Sequence, residues 1–262
     1  YLEQSTGNVL HEPKNGSGKY GQMVSESAID IEGYDKVDPT SAAISIRIET
    51  PDDVARLNVI TFYYTEKTVE IKYVPVGPAG AQNFGSVDPT SETVKIKTGT
   101  AAGSTPTAGD GFKFAGWYKD EACTQPVTGA NWIVGNVIKP QKENGMNIAT
   151  TYYAKFEYDV ADLTITKEGC SAADQDQAFI FTIVGDNYSN QVVIKGNGSV
   201  TIKGLKIGEY TIHEESGWSW RYSCKDQTVT LQPGVTNNVT MTNSRGTDKW
   251  LDDNASVDNR FN

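Results

Sequence analysis

Three residues far apart in the chain have the types and settings for covalent chemistry together: Lys167, Glu214 and Asn243. In LTITKEG, the residues Leu163, Ile165 and Lys167 fall on one face of a strand. In GEYTIHEE, Tyr210, Ile212 and Glu214 do the same, as do Val239, Met241 and Asn243 in NNVTMTN. Each strand thus aims two apolar residues and then a polar one at a single side. Burial drives a lysine toward its neutral amine, which is a nucleophile. Asn243 offers a carboxamide carbon. Attack there joins the two side chains as an amide and releases ammonia. Glu214, in the same apolar setting, can carry a proton, hydrogen-bond the Asn243 carbonyl and shuttle protons. The fold would supply proximity, worth about 7–11 kcal/mol of barrier.

The ordinary reading of each residue alone is different. Strands commonly finish with a polar residue where they leave the core, and Lys167 with Glu214 would make a plain ion pair. The case for chemistry rests on all three together. Glu215 stands beside Glu214; parity favours Glu214, but a bulge would exchange their faces, so which of them is the assisting acid stays open.

The elements that must position these residues are strands. The chain has 262 residues, enough for two or three small domains, and is rich in Thr, Val, Tyr and Gly. No long window has helical periodicity, so a mainly β chain of small modules is expected. Its formal charge of −10 repels phosphate backbones and argues against nucleic-acid binding. No apolar run is long enough to span a bilayer, and no signal peptide is present. The opening YLEQSTG reads as the middle of a strand, so the chain is expected to be part of a longer polypeptide whose targeting and wall-anchoring signals lie elsewhere.

Four segments are expected. Residues 1–65 carry a Gly-rich turn (NGSGKYG), GYDKV, AISIRI and NVITFYY. Ile44, Ile46 and Ile48 alternate as in a half-buried strand, and NVITFYY is apolar enough on both sides to be covered on both. YLEQSTGNVL, GKYGQMVSESAIDIEGYDKV and NVITFYYT, in that order, resemble the mucin-binding-protein-like repeats of Gram-positive surface proteins. Residues 66–158 run from VEIKYVPVG to TYYAKFE, and FAGWYKDEACTQPV among them resembles the internalin-type B repeats of bacterial surface proteins. Both resemblances imply small β-grasp modules. Trp117, Phe114 and Trp132 are expected in the second core, with Gly116 letting the backbone pass close to the indole. VDPTS occurs at 37–41 and 87–91, which reads as shared turn chemistry before a strand rather than as a repeat.

Residues 159–245 hold eight short strand candidates separated by Gly, Asn or Pro turns, the pattern of a β-sandwich. Here TITKEG, the Tyr-Thr-Ile-His-Glu of GEYTIHEE and the closing MTN resemble the collagen-adhesin B-type (prealbumin-like) domains of Gram-positive surface proteins and pilins. That resemblance implies a prealbumin/Ig-like sandwich. It also implies that Lys167 and Asn243 form an isopeptide crosslink with Glu214 assisting. Residues 246–262 are polar, with Trp250, Leu251 and Phe261 scattered among them, and are expected to form a flexible tail.

Other constellations are weaker. Of the three cysteines, Cys123 reads as a free thiol, whereas Cys170 and Cys224 share the last module and leave a disulfide possible. No CxxC pair suggests zinc. The two histidines, His11 and His213, have no Ser or Cys partner that spacing identifies, so a hydrolase triad has no support. With 33 carboxylates, any glycosidase pair would be arbitrary. Pro51-Asp52-Asp53 and Asp252-Asp253-Asn254 read as solvated turns rather than calcium sites. WSWRY puts Trp218, Trp220 and Tyr222 on one face, read as core packing, and Tyr63, Tyr64, Tyr152 and Tyr153 are ambiguous.

The expectation is therefore a non-enzymatic stalk or adhesin segment of a secreted, cell-wall-associated bacterial protein, monomeric, extracellular and without metal or cofactor. It would be stabilised by one self-made Lys167–Asn243 bond. The alternative is a module binding host glycan, mucin or extracellular-matrix protein.

Overall fold

Alternating polarity along short segments, punctuated by Gly, Asn and Pro, builds a chain that is nearly all β. The structure is a computed structural model and describes residues 1–47, 57–215, 217 and 221–246. Ile48, the Pro51-Asp52-Asp53 and Asp252-Asp253-Asn254 clusters, Trp218, Trp220 and the expected tail from Thr247 onward lie outside the described residues.

The chain divides into two compact units. The first takes in residues 1–76, 85–107 and 114–155. Its leading strands are β1 (Leu2–Glu3), β2 (Met23–Ser27), β3 (Tyr34–Lys36), β4 (Ser41–Ser45) and β5 (Tyr63–Glu66). They form a β1-β5-β3 sheet and a two-stranded β2-β4 sheet, with β1 and β5 parallel. Phe62, Tyr64 and Ala28 make the core here. The strand is covered on one side only: Phe62, Tyr64 and Glu66 are buried, while Val59 and Tyr63 are 52% and 45% exposed. An exposed valine and tyrosine cost little, which is why apolar residues on both sides did not mean burial on both.

Next come β6 (Thr68–Val76), β7 (Gly85–Asp88), β8 (Ser91–Lys95), β9 (Thr105–Ala108), β10 (Phe112–Tyr118), β11 (Ile133–Val134), β12 (Val137–Ile138) and β13 (Thr150–Tyr158). The main sheet has the order β10-β13-β6-β8, with β6 and β13 central and parallel. First and last strands paired at the centre is the strand order of a β-grasp sheet. Trp117 is buried, its indole donating to the Asn136 carbonyl at 2.8 Å, and Phe114 packs edge-on against it. Gly116 serves its backbone, at φ +136°, rather than a close approach to the indole. Both VDPTS copies lead directly into a strand, β4 at Ser41 and β8 at Ser91. Glu66, closing β5, is buried and accepts hydrogen bonds from the amides of Lys97 (2.6 Å) and Thr98 (2.7 Å) and from the Thr98 hydroxyl (2.6 Å).

The second unit takes residues 77–84 and 108–113 and continues from Phe156. Its strands are β14 (Val160–Glu168), β15 (Ala178–Gly185), β16 (Tyr188–Lys195), β17 (Ser199–Lys206), β18 (Gly208–Glu214), β19 (Tyr222–Ser223), β20 (Gln227–Leu231), β21 (Asn237–Thr242) and β22 (Ser244–Arg245). They make a two-sheet β-sandwich of orders β17-β14-β21 and β16-β15-β18-β20, with β19 and β22 as a small ribbon. Between the sheets lie Leu163, Ile165, Phe179, Phe181, Ile183, Ile212 and Met241, all fully buried. β14 and β21, the first and last long strands, run parallel, with Lys167 opposite Met241 and Glu168 opposite Thr242.

Candidate functional site

β14 buries every second residue, Ala161, Leu163, Ile165 and Lys167, so the period that builds the core also carries the lysine into it. β18 buries Tyr210, Ile212 and Glu214 from the opposite sheet, where Glu214 lies across from Phe181 on β15. β21 buries Asn237, Val239 and Met241, and one further step of the same period brings in Asn243. Lys167, Glu214 and Asn243 are 1%, 3% and 5% exposed. Charged and amide groups so deeply buried are rare without a partner or a task.

The Asn243 amide nitrogen donates to Glu214 Oε1 at 2.9 Å. Asn243 Oδ1 has no hydrogen-bond partner among the described residues. The contact thus runs through the nitrogen of the amide, not through its carbonyl as first expected. In this orientation the amide N–H is the donor and the glutamate oxygen the acceptor. A protonated Glu214 would favour the amide rotated by half a turn, with Oδ1 accepting.

Lys167 Nζ donates to the Glu168 carbonyl at 2.7 Å and lies over the Phe179 ring, 4.1 Å from its centroid, and near the Tyr222 ring at 5.9 Å. Burial holds the ammonium below its ordinary pKa, against the opposing influence of Glu214, Cys170 and Cys224. Of the two neighbouring glutamates, Glu214 is the one in the core. Glu215 turns out, where its carboxylate accepts from the Thr182 hydroxyl and its amide donates to the Ile180 carbonyl.

Gly169 sets the approach of the two chains. It adopts φ +79°, and a Cβ there would stand 2.2 Å from the Asn243 carbonyl oxygen. Only glycine tolerates both conditions, and the Asn243 backbone N–H can then donate to the Glu168 carbonyl at 3.0 Å. The glycine directly after the lysine-bearing strand was the available signal for this close approach. Phe179 and Tyr222 carried no signal tying them to the lysine.

Cys170 and Cys224 are free thiols in this structure. The Cys170 thiol points to the Asp174 carbonyl at 3.1 Å, and that of Cys224 to the Lys225 carbonyl at 3.5 Å. Cys123 is also free. His213 faces out and meets Asp226 at 2.7 Å, while His11 bonds the neighbouring Glu12 carbonyl and packs edge-on against Tyr1. Among the described residues, no three His, Cys, Asp or Glu side chains are gathered to hold a metal, and no helix is long and apolar enough to cross a membrane. Of the ambiguous tyrosines, Tyr64 and Tyr152 are buried and Tyr63 is exposed. A cavity of about 50 Å³ in the first unit, lined by residues including Ile71, Gln141, Glu143, Asn147 and Tyr152, holds no more than a few waters.

No protein-family model matches the chain, and no curated protein matches it in sequence. Among solved structures, the Bacillus anthracis TIE protein aligns with 70% of this chain and 35% of its own length, at 15% identity and TM-score 0.41. BcpA, the major pilin subunit of Bacillus cereus, aligns over 86% of both chains at 12% identity and TM-score 0.38. A single B repeat unit of the collagen-binding surface protein of Staphylococcus aureus is covered over 98% of its length by 68% of this chain, at 12% identity and TM-score 0.26. The chain therefore spans about a third of the TIE protein.

Proposed function

We propose that this chain is a structural stalk or adhesin segment of a Gram-positive surface protein whose last module crosslinks itself between Lys167 and Asn243. The observation that carries this reading is the convergence of a lysine, a carboxylic acid and a carboxamide, each at most 5% exposed, inside one apolar core. A plain buried ion pair would account for Lys167 and Glu214 but not for an amide placed on the acid with its carbonyl oxygen unbonded.

The reaction balances within the site. Lys167 Nζ, as the neutral amine, attacks Cγ of Asn243 and forms the new C–N bond. The C–Nδ2 bond breaks and ammonia leaves. One proton must pass from the attacking nitrogen to the departing one. Glu214, bonded to Nδ2 and facing Lys167, stands where it can relay that proton, taking it from the attacking nitrogen and handing it to the departing one, so that it ends as it began. With the amide rotated, a protonated Glu214 would instead polarise the carbonyl for the attack. No external substrate, cofactor or metal is consumed.

On this reading the protein works outside the cell in a wall-associated polypeptide. The mucin-binding-like and internalin-like modules ahead of the sandwich serve as spacers, and partners such as host glycan, mucin or matrix protein are met elsewhere on the surface. The test is an intact mass of the purified chain with thiols reduced. It should fall short of the sequence mass by one ammonia, and Lys167→Ala, Asn243→Ala and Glu214→Ala should each restore the full mass. A wild-type mass equal to that of the sequence ends the proposal.

A further inference from the structure

We propose that Tyr222, locked by Asp174, is a positioning residue for the crosslinking step: a lid that keeps water from the Lys167 amine and clamps the chain carrying Asn243. This rests on the crosslink reading above. The Tyr222 side chain is buried, and its ring meets Phe179 edge-to-face at 5.4 Å, so the two rings form one wall beside the amine. The hydroxyl is fixed from both sides. It donates to Asp174 Oδ2 at 2.6 Å and accepts from the Ser171 amide at 3.2 Å. The Ser171 hydroxyl donates to the same Asp174 oxygen at 2.8 Å, and Arg221 stands 3.9 Å from the other. These bonds hold the Asp174 carboxyl below its ordinary pKa, the one from Tyr222 most of all.

The same tyrosine also reaches the electrophile's backbone. β19 pairs with β22, Tyr222 opposite Arg245 and Ser223 opposite Ser244, and the Gly246 amide bonds the Arg221 carbonyl at 2.9 Å. This ribbon begins at the residue after Asn243. A core strand holds the asparagine from one side and the ribbon holds it from the other. One residue therefore joins the cover over the nucleophile to the clamp on its target, and a short turn (Ser171 to Asp174) sets both.

Removing the ring has two opposing effects on the amine. The aromatic face favours the ammonium, and water favours it too. At 5.9 Å Tyr222 sits near the outer limit of a cation–π contact, and Phe179 at 4.1 Å remains. Admission of water therefore decides, and the amine becomes harder to deprotonate. The ionisable groups facing Lys167 are Glu214 on β18, Cys170 after β14 and Cys224 after β19, and none of them is altered in the variants below.

The test follows ammonia loss by intact mass as the full chain folds after cell-free synthesis, across a pH series. Tyr222→Phe, which keeps the ring but not its lock, and Asp174→Asn should each slow crosslinking on the order of tenfold, as a misplaced reacting pair does. The double variant should be no slower than either, because the two residues act as one unit. Tyr222→Ala should also move the midpoint of the pH–rate curve toward that of an exposed lysine, which loss of stability alone does not do. If Tyr222→Ala does not fold, Tyr222→Phe and Asp174→Asn decide. Wild-type rates and an unmoved midpoint in folded variants, with the wild type crosslinked, overturn the lid and leave the crosslink standing. A wild type that never loses ammonia overturns both.

Discussion

The crosslink should dominate the stability of the sandwich, and Glu214→Gln is the variant that isolates its contribution. The substitution keeps the shape of the side chain and leaves Lys167 and Asn243 in place, but removes the group that moves the proton. Positions 167 and 243 are 76 residues apart. Closing a loop of that size in the unfolded chain removes entropy worth about 4.5 kcal/mol at 25 °C on the chain-entropy account used for disulfides. For a domain of this size each kcal/mol moves the melting temperature by about 4–8 °C, so the shift should be roughly 20 °C or more. Calorimetry on the full chain, alongside the intact mass of each sample, provides the measurement. An uncrosslinked Glu214→Gln whose sandwich melts within about 5 °C of the crosslinked wild type refutes the reasoning, since that is the shift of only about 1 kcal/mol. A Glu214→Gln that still loses ammonia refutes the role given to the acid.

Gly169→Ala places a methyl group 2.2 Å from the Asn243 carbonyl oxygen at a φ of +79°. It should cost about 1–3 kcal/mol in strain alone and slow ammonia loss by displacing Asn243, read by urea unfolding and by mass. Glu66→Ala strands the Lys97 and Thr98 amides and the Thr98 hydroxyl, and at about 1 kcal/mol or more for each should lower the urea midpoint of the first unit. Burial raises the Glu66 pKa, but those three hydrogen bonds outweigh it and hold the carboxyl below its ordinary value. Its contribution is therefore present above the unfolded value and lost as pH falls through the lowered one, a dependence that Glu66→Gln should flatten. His213 is the opposite case: its bond to Asp226 raises its pKa, so its contribution is complete below the unfolded value of about 6.5 and fades as pH rises through the raised one. Asp226→Asn should bring the titration midpoint seen by NMR back down, and an unchanged midpoint would show that Asp226 does not set it.

How much of this was legible beforehand follows from the range of the interactions. Period two is local, and it carried Lys167, Glu214 and Asn243 to the inside faces of three strands without any knowledge of how those strands pair. The same parity separated Glu214 from Glu215. What parity does not contain is depth and partnership. WSWRYSC alternates evenly, yet of its described residues only Tyr222 and Ser223 are strand, and the lock on Tyr222 comes from Asp174, 48 positions earlier. The Asn243 amide orientation comes from its contact with a carboxyl group in another sheet, which no neighbour in sequence reports. NVITFYY failed for a related reason: side-chain type says what a face tolerates, while the sheet's neighbours decide whether it is covered.

Three sheets pair an early strand with a late one of the same stretch of chain in parallel: β1 with β5, β6 with β13, and β14 with β21. Tension on the chain then pulls each pair lengthwise past each other, loading every bond between them at once instead of peeling them one by one. In the sandwich, Lys167 and Asn243 stand at the same end of their parallel strands. With the proposed bond formed, force entering at Val160 would run up β14, cross from Lys167 to Asn243 and leave. The residues between the two would carry none of it. Single-molecule pulling of the full chain separates the cases. An uncrosslinked Glu214→Gln should release an extra length on the order of 250 Å when the sandwich yields, the reach of the intervening chain at about 3.4 Å per residue. The wild type should not release it, and a wild type that does is not crosslinked where the geometry places the bond.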